Sequence, residues 1–326
     1  MKLTTPVEIP KFPFEISHDT KTIFTGSCFA ENIGEKLSKL KFPTQVNPLG
    51  INYNPISLAN SIERSLNNKF LVSDNLFYSN GLWNNYDFHS KFSDIEKDVC
   101  LQKINSSVES SHDFIKEADI MFISLGTAYI YALEETKKTV SNCHKQPDNI
   151  FSRRLLQVDE IVQVWTKLHK EIGKINPKLK VIFTISPVRH KRDGFIANQH
   201  SKSILFVAVN KLIDMFDNVL YFPSYEILMD ELRDYRFYSE DMVHPSDVAV
   251  NYIMDKFANA YFNDKTRKLN GLIEKIISAA NHRPFNTQTE EYQKFCKSIL
   301  TKIDEVEKQT PTIDFSVEKK KLGSLK

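Results

Sequence analysis

Glycine is scarce in this chain, nine among 326 residues, and cysteine is scarcer, at four. With so few glycines, each one that adjoins a polar side chain raises the question of which backbone geometry it permits. Cys28, Cys100, Cys143 and Cys296 have no paired spacing. That argues against a disulfide framework and against a zinc ribbon, and it fits reduced thiols in a cytoplasmic protein. No apolar run is long enough to span a bilayer, so no membrane partner is expected. The first residues, with Pro6, Pro10 and Pro13, never build the apolar core of a secretion signal. An excess of one charge is missing too: 43 Lys and Arg against 41 Asp and Glu leave +2. No long basic block precedes the final tail, which makes nucleic acid a poor partner.

What is present is the material of a sizeable core: 41% hydrophobic residues, among them 23 Phe. Four short runs, 22–25, 120–125, 181–185 and 219–222, are dense in Ile, Val, Phe and Leu and stop at Gly, Ser or Pro. Continuous apolar runs of this length suit strands covered on both faces, as in a parallel sheet. Helical stripes separate them: Ile33, Leu37 and Leu40; then Ile161, Val164, Trp165, Leu168 and Ile172, with Asp159 as N-cap; then Ile204, Val207, Leu212 and Phe216. Ser246 is placed to cap a further helix through Val250, Ile253 and Phe257. The alternation predicts an α/β layered sheet, which binds ligands at the carboxyl ends of its strands. Residues 76–88 read as an inserted hairpin or ordered loop. A Lys- and Glu-rich helical extension follows, so the expected division is a main domain at 1–265 and helices at 266–326, with 319–326 disordered.

Two segments carry chemistry. The first strand runs into Gly26-Ser27-Cys28-Phe29-Ala30 and then a helix. A serine on a sharp strand-to-helix turn stands clear of the sheet, and the N–H groups behind it can meet a developing oxyanion. Read alone, the segment favours a helix-capping serine over a nucleophile. Asp241-Met242-Val243-His244-Pro245, before the last helix of the main domain, shifts that balance. Three residues apart in a turn, Asp241 can accept from Nδ1–H of His244 and leave Nε2 to take a proton from Ser27.

Gly26-Ser27-Cys28-Phe29-Ala30 resembles the motif that names the GSCFA family, itself similar to the SGNH/GDSL hydrolases. Further blocks continue the resemblance in order. They are Asn47-Pro48-Leu49-Gly50 with Tyr53-Asn54-Pro55, Leu125-Gly126-Thr127-Ala128, Asn142-Cys143-His144-Lys145, Ser186-Pro187-Val188-Arg189-His190, Arg233 to Tyr238, and Asp241 to Pro245. The resemblance implies a three-layer α/β/α domain with a flavodoxin-like parallel sheet, Ser27 as nucleophile, His244 as base and Asp241 as its orienting partner. It also implies an oxyanion hole from the N–H of Ser27, the N–H of Gly50 and a third-block asparagine. Here the third block reads Gly126-Thr127-Ala128, so the asparagine is missing. Asn54 is the first candidate to replace it, with Thr127 and Asn142 behind, although Asn54 also reads as a turn residue before Pro55.

His144 and His190, both in loops, are expected to shape the pocket beside a polar substrate. Hydrogen-bonded loop histidines are the competing reading. No His-x-His or Cys-x-x-Cys spacing points to a metal, and no cofactor is expected. Cys28 as an alternative nucleophile competes with Ser27 for the base, and only one of two neighbours on a tight turn can face it. Arg189, Arg233 and Arg236 can clamp an anion, with a local salt-bridge network as the commoner role. The aromatic residues of 76–88 can stack on a sugar or fill core. Together these residues predict an esterase acting on an O-acyl ester of a carbohydrate or small metabolite. Acyl transfer by the same triad and a non-catalytic binding protein are the alternatives, and nothing in the sequence fixes the oligomeric state.

Overall fold

The structure is a computed structural model and describes residues 4–282 and 288–323. In chain order its elements are β1 (Thr22–Gly26), α1 (Cys28–Lys39), β2 (Thr44–Val46), α2 (Pro55–Leu66), β3 (Phe77–Ser79), β4 (Leu82–Asn84) and α3 (Lys97–Glu117). Then come β5 (Ile120–Leu125), β6 (Tyr129–Leu133), β7 (Thr139–Val140), β8 (Phe151–Leu155), α4 (Val158–Ile175), β9 (Lys180–Ile185), α5 (Phe195–Met215) and β10 (Val219–Tyr221). The chain ends through a short turn α6 (Ser224–Glu226), α7 (Asp247–Tyr261), α8 (Asp264–Asn281), α9 (Glu290–Gln309) and α10 (Ser316–Gly323).

The four apolar runs form β1, β5, β9 and β10, and every residue of β1 and β5 is buried. With β2 they make a five-stranded parallel sheet in the order β10-β9-β5-β1-β2. Helices flank it and helices follow it, so the predicted α/β class holds. One face of the sheet carries Ile23, Met121, Ile123, Val181 and Phe183 into a core with Leu58 and Ile62 of α2, Trp165 and Leu168 of α4, and Leu205 of α5. Trp165 meets Phe183 edge-on at 5.0 Å, and Phe24 stacks on Phe122 at 4.5 Å on the neighbouring strand. Each such buried side chain contributes about 1.5–3 kcal/mol. Strand order reverses between β1 and β5. A sheet of this order opens its ligand crevice there, beyond the carboxyl ends of the strands.

One local reading needs correction. Asp159 does not cap α4: Gln157 does, and the Glu160 carboxylate accepts the Gln157 N–H at 2.8 Å while pairing with Arg154 at 2.7 Å. The helix therefore starts one residue before the position expected of an Asp159 cap, with the Glu160 carboxylate satisfying the Gln157 amide. Residues 76–88 do contain a hairpin, β3–β4, turned at Asn80-Gly81 with both φ positive, the two-residue turn whose twist matches its strands. Unforeseen is a second, antiparallel sheet of order β7-β6-β8, inserted between β5 and α4.

The chain divides into two compact units. One comprises Met1–Ile9, Thr22–Gly34 and Gln45–Met254; the other comprises Pro10–Lys21, Glu35–Thr44 and Asp255–Lys326. The second unit has its own core of Ile273, Ile276, Ile299, Ile303, Phe315 and Leu322. Phe12 stacks on Tyr261 at 4.5 Å, and Lys41 pairs with Glu318 at 2.9 Å. Residues 319–323, expected to be disordered, are the last turns of α10, held by Leu322 in that core. The remaining three residues of the expected tail lie outside the described residues. Among the described residues no helix is long and apolar enough to cross a membrane.

Candidate active site

Ser27 follows the last residue of β1 and precedes the first of α1, at the point where the strand order reverses. Gly26 makes the turn. Its φ is +126°, and a Cβ there would fall 2.1 Å from the Ser124 carbonyl oxygen on β5. The Gly26 N–H donates to Asn47 Oδ1 at 2.8 Å, which ties the turn to the segment after β2. Ser27 is buried, and its Oγ lies 2.6 Å from Ser124 Oγ, where either hydroxyl can donate. The neighbouring Cys28 thiol is pushed up by burial, which keeps it protonated and weakens it as a rival nucleophile.

Asp241 and His244 form the expected pair. Asp241 Oδ2 lies 2.5 Å from His244 Nδ1, and Asp241 Oδ1 accepts the N–H of both Val243 and His244 at 2.9 Å. The His244 imidazole first, then those two amides, hold the Asp241 carboxyl well below the usual carboxylate range. Met242 takes a φ of +58° to close the turn, Ser239 N–H donates to the His244 carbonyl at 2.8 Å, and Lys191 Nζ donates to the Asp241 carbonyl. The dyad is half-exposed on a fixed loop.

Ser27, Asn54, Thr127, Asn142, His190, Asp241 and His244 all line one cavity of about 610 Å³. Among the described residues, no hydrogen bond joins Ser27 to His244, whose meeting requires the Ser27 hydroxyl to turn away from Ser124. Gly50 is not part of the wall. Its N–H closes a turn onto the Asn47 carbonyl at 2.9 Å, and a Cβ there would fall 2.4 Å from His89 Cβ. The other expected oxyanion donors are committed as well. The Ser27 N–H donates to the Ser124 carbonyl at 3.0 Å. Asn54 caps α2, its Oδ1 accepting from Ser57 N–H at 2.8 Å and its Nδ2 donating to Ser57 Oγ at 3.0 Å. The Phe29 N–H donates to Ser27 Oγ at 3.4 Å and the Glu31 N–H to the Ser27 carbonyl at 3.3 Å, so among the described residues helix geometry leaves the Cys28 and Ala30 amides of α1 unpaired at this place.

Thr127 Oγ1 lies 3.1 Å from Ser201 Oγ and accepts the Tyr129 N–H at 3.1 Å, which places it as a brace for β6. Asn142 Oδ1 accepts the His144 N–H at 2.8 Å, leaving its NH₂ to offer the cavity. His144 is a structural histidine: its Nε2 lies 2.8 Å from the Asn85 carbonyl and 3.1 Å from that of Phe88, and burial pushes its pKa down. His190 does line the cavity, and burial first, then the Lys202 ammonium, lower its pKa. Arg233 and Arg236 pair locally with Asp230 at 3.2 Å and Asp234 at 3.4 Å, away from the cavity wall. Phe88 is buried in a core cluster, Phe77 stacks half-buried on Tyr86 at 4.1 Å, Tyr78 is exposed, and none of these aromatics lines the cavity. Among the described residues no cluster of three or more His, Cys, Asp or Glu side chains could hold a metal ion.

Sequence reasoning missed Tyr129, Tyr131 and Arg153 from the inserted sheet, and Lys191 and Arg192 from the loop after β9, all on the cavity wall. It also missed Lys202. That side chain is 0% exposed and donates to the carbonyls of Gly126 at 2.7 Å and Ser186 at 2.5 Å, at the ends of β5 and β9. The signal was available, because Lys202 falls in the buried stripe Asn198, Ser201, Lys202, Leu205, Ala208, Val209, Leu212 of α5. Burial, helped by the Arg189 guanidinium, pushes the Lys202 ammonium down to about 7, against an ordinary 10.5. Between those values the unfolded chain holds a proton that the folded chain has released. Stability therefore rises with pH across this interval and falls again on return to pH 7. The melting temperature is expected to rise from pH 7 to pH 9, and Lys202→Met to flatten the rise. A flat or falling wild-type curve would contradict this.

The chain matches the family model described as the GSCFA family over residues 21–257, and a second one, described as the C-terminal domain of GSCFA domain proteins, over residues 273–324. No curated protein matches it.

Proposed function

The chain belongs to the GSCFA family, and from that premise we propose that it is a cytoplasmic, serine-dependent esterase of the SGNH/GDSL type, acting on an O-acyl ester of a carbohydrate or small metabolite. The observation that carries this reading is that Ser27 and the Asp241–His244 pair line the same cavity at the switch point of the sheet.

The chemistry follows from the placement. Once the Ser27 hydroxyl turns away from Ser124 Oγ, its proton is available to His244 Nε2. As Oγ attacks the acyl carbonyl carbon, that proton passes to Nε2, and Asp241 stabilises the imidazolium through Nδ1–H. The carbonyl π electrons move onto oxygen, which the amides at the start of α1 and the partial positive charge of the helix terminus stabilise. The tetrahedral adduct collapses, the bond from the acyl carbon to the alcohol oxygen breaks, and the alcohol leaves with the proton from Nε2. Water then attacks the acyl-enzyme, again giving a proton to His244. The carboxylic acid departs, and Ser27 recovers its proton.

A second reading, a non-catalytic binding protein, is favoured by the committed state of the Ser27 N–H, the Gly50 N–H and the Asn54 amide. A fluorophosphonate probe separates the two. An adduct mapped to Ser27, absent in His244→Ala, is the expected result. A folded protein that takes no label at Ser27 would overturn the esterase reading in favour of binding.

A further inference from the structure

The cavity carries more positive charge than its neighbours neutralise. Arg153, Arg189, Lys191 and Arg192 line it, against the carboxylates of Asp193 and Asp241. Arg153 pairs with Asp193, and Arg192 reaches Asp148 at 3.5 Å. Asp241 is engaged by His244. The other cations have only neutral partners. Arg189 donates to Gln199 Oε1 at 2.8 Å and to the Tyr225 hydroxyl at 3.1 Å. Lys191 donates to the Asp241 carbonyl, and Lys202, behind the wall, donates to two carbonyls. Among the described residues no carboxylate pairs with Arg189, Lys191 or Lys202.

Such a concentration is costly in an empty pocket and useful in a filled one. Arg189 and Lys202 lie close enough that the guanidinium depresses the ammonium, and both Lys202 and Arg153 lower the pKa of His190. Like charges held this near one another destabilise the free protein and are relieved by an anion. A cleft with low-dielectric walls concentrates the same field on an incoming ligand. A planar guanidinium with neutral partners suits an oxyanion, whether carboxylate or phosphate.

We infer that the substrate is an ester of an alcohol that carries an oxyanion, with Arg189 and Lys191 as the groups that bind this anion. This inference rests on the esterase reading above and names the substrate class of that site.

The test uses the full chain and three probes: an O-acetylated hexuronic acid, an O-acetylated hexose 6-phosphate, and the O-acetylated neutral hexose of the same ring configuration. For at least one of the anions kcat/KM is expected to exceed that of the neutral ester tenfold or more at low salt. The ratio should shrink as salt screens the cavity, and which anion leads tells carboxylate from phosphate. Arg189→Gln is expected to lower the ratio at least fivefold. Lys191→Gln, an exposed position, supplies a second variant should the first fail to fold. A ratio below tenfold for both anions overturns the inference, as does a ratio that salt and both variants leave unchanged. Should Ser27 take no fluorophosphonate label and no ester turn over, it is the esterase reading that has failed. Calorimetric binding of the deacetylated sugars then decides the anion preference separately, with the same tenfold criterion.

Discussion

Ser27→Ala and His244→Ala are each expected to lower kcat/KM on an activated acetyl ester by on the order of 10⁴- to 10⁶-fold, and the double variant to be no worse than either single one. In the proposed mechanism nucleophile and base act as one unit: without the imidazole the Ser27 hydroxyl would stay protonated and unreactive, and without the hydroxyl the imidazole would have nothing to activate. Asp241→Asn tests the third member. The Asp241 carboxylate holds Nδ1–H of His244 at 2.5 Å and so keeps Nε2 as the acceptor. An asparagine amide can donate to Nδ1 instead, which puts the ring proton on Nε2, facing the serine, in the wrong place for a base. A loss of about 10⁴-fold is expected, with the loop intact because the asparagine oxygen can still accept the Val243 and His244 amides. Far-ultraviolet circular dichroism checks folding in each variant. Any of the three retaining activity within tenfold of wild type would contradict the assigned roles.

The central sheet was legible because its strands are covered on both faces and therefore written as unbroken apolar runs. The same property hid the inserted sheet. Strands β6, β7 and β8 are short and half-covered, and they carry Tyr129, Tyr131, Arg153 and Arg154 in patterns that read as loop. Lys202 was hidden differently. It stands in a helical stripe whose spacing marks it as buried, but a lysine without a carboxylate is a rare occupant of such a position and is easily read past. In the site itself, residue type and order were enough to bring Ser27, Asp241 and His244 to one cavity. They were not enough for the oxyanion donors. Whether an N–H is available depends on which carbonyl the fold has set opposite it. Strand register sets Ser124 opposite Gly26, which brings its carbonyl to the Ser27 N–H, and a local turn brings the Asn47 carbonyl to the Gly50 N–H. Asn54 illustrates the same point in a side chain: an asparagine before Pro55 is as good a helix cap as an oxyanion donor, and here the cap is what forms.

Gly26→Ala is expected to have the largest effect on stability of any single methyl added to this chain, and to remove activity with it. Two costs coincide at the position. A φ of +126° is closed to an alanine without strain, and the new Cβ would lie 2.1 Å from the Ser124 oxygen and 2.9 Å from the Ser124 nitrogen. Those atoms belong to β5 and cannot give way, since β5 is bonded on both sides, to β1 and β9. Backbone strain of this kind costs about 1–3 kcal/mol by itself. The clash adds to it, so a loss of roughly 3 kcal/mol or more is expected, a large share of the ~5–15 kcal/mol that holds a typical domain together. Relief can come only by moving the turn. That breaks the Gly26 bond to Asn47 Oδ1 and shifts the Ser27 hydroxyl away from the cavity wall. Gly173 provides the control. It lies inside α4 with nothing within 4 Å of a built Cβ, so Gly173→Ala should stabilise by about 0.5–1 kcal/mol through helix propensity. Urea midpoints at constant m-value, read beside fluorophosphonate labelling, give both signs in one experiment. If Gly26→Ala keeps the wild-type midpoint and full labelling, the turn is not what presents Ser27.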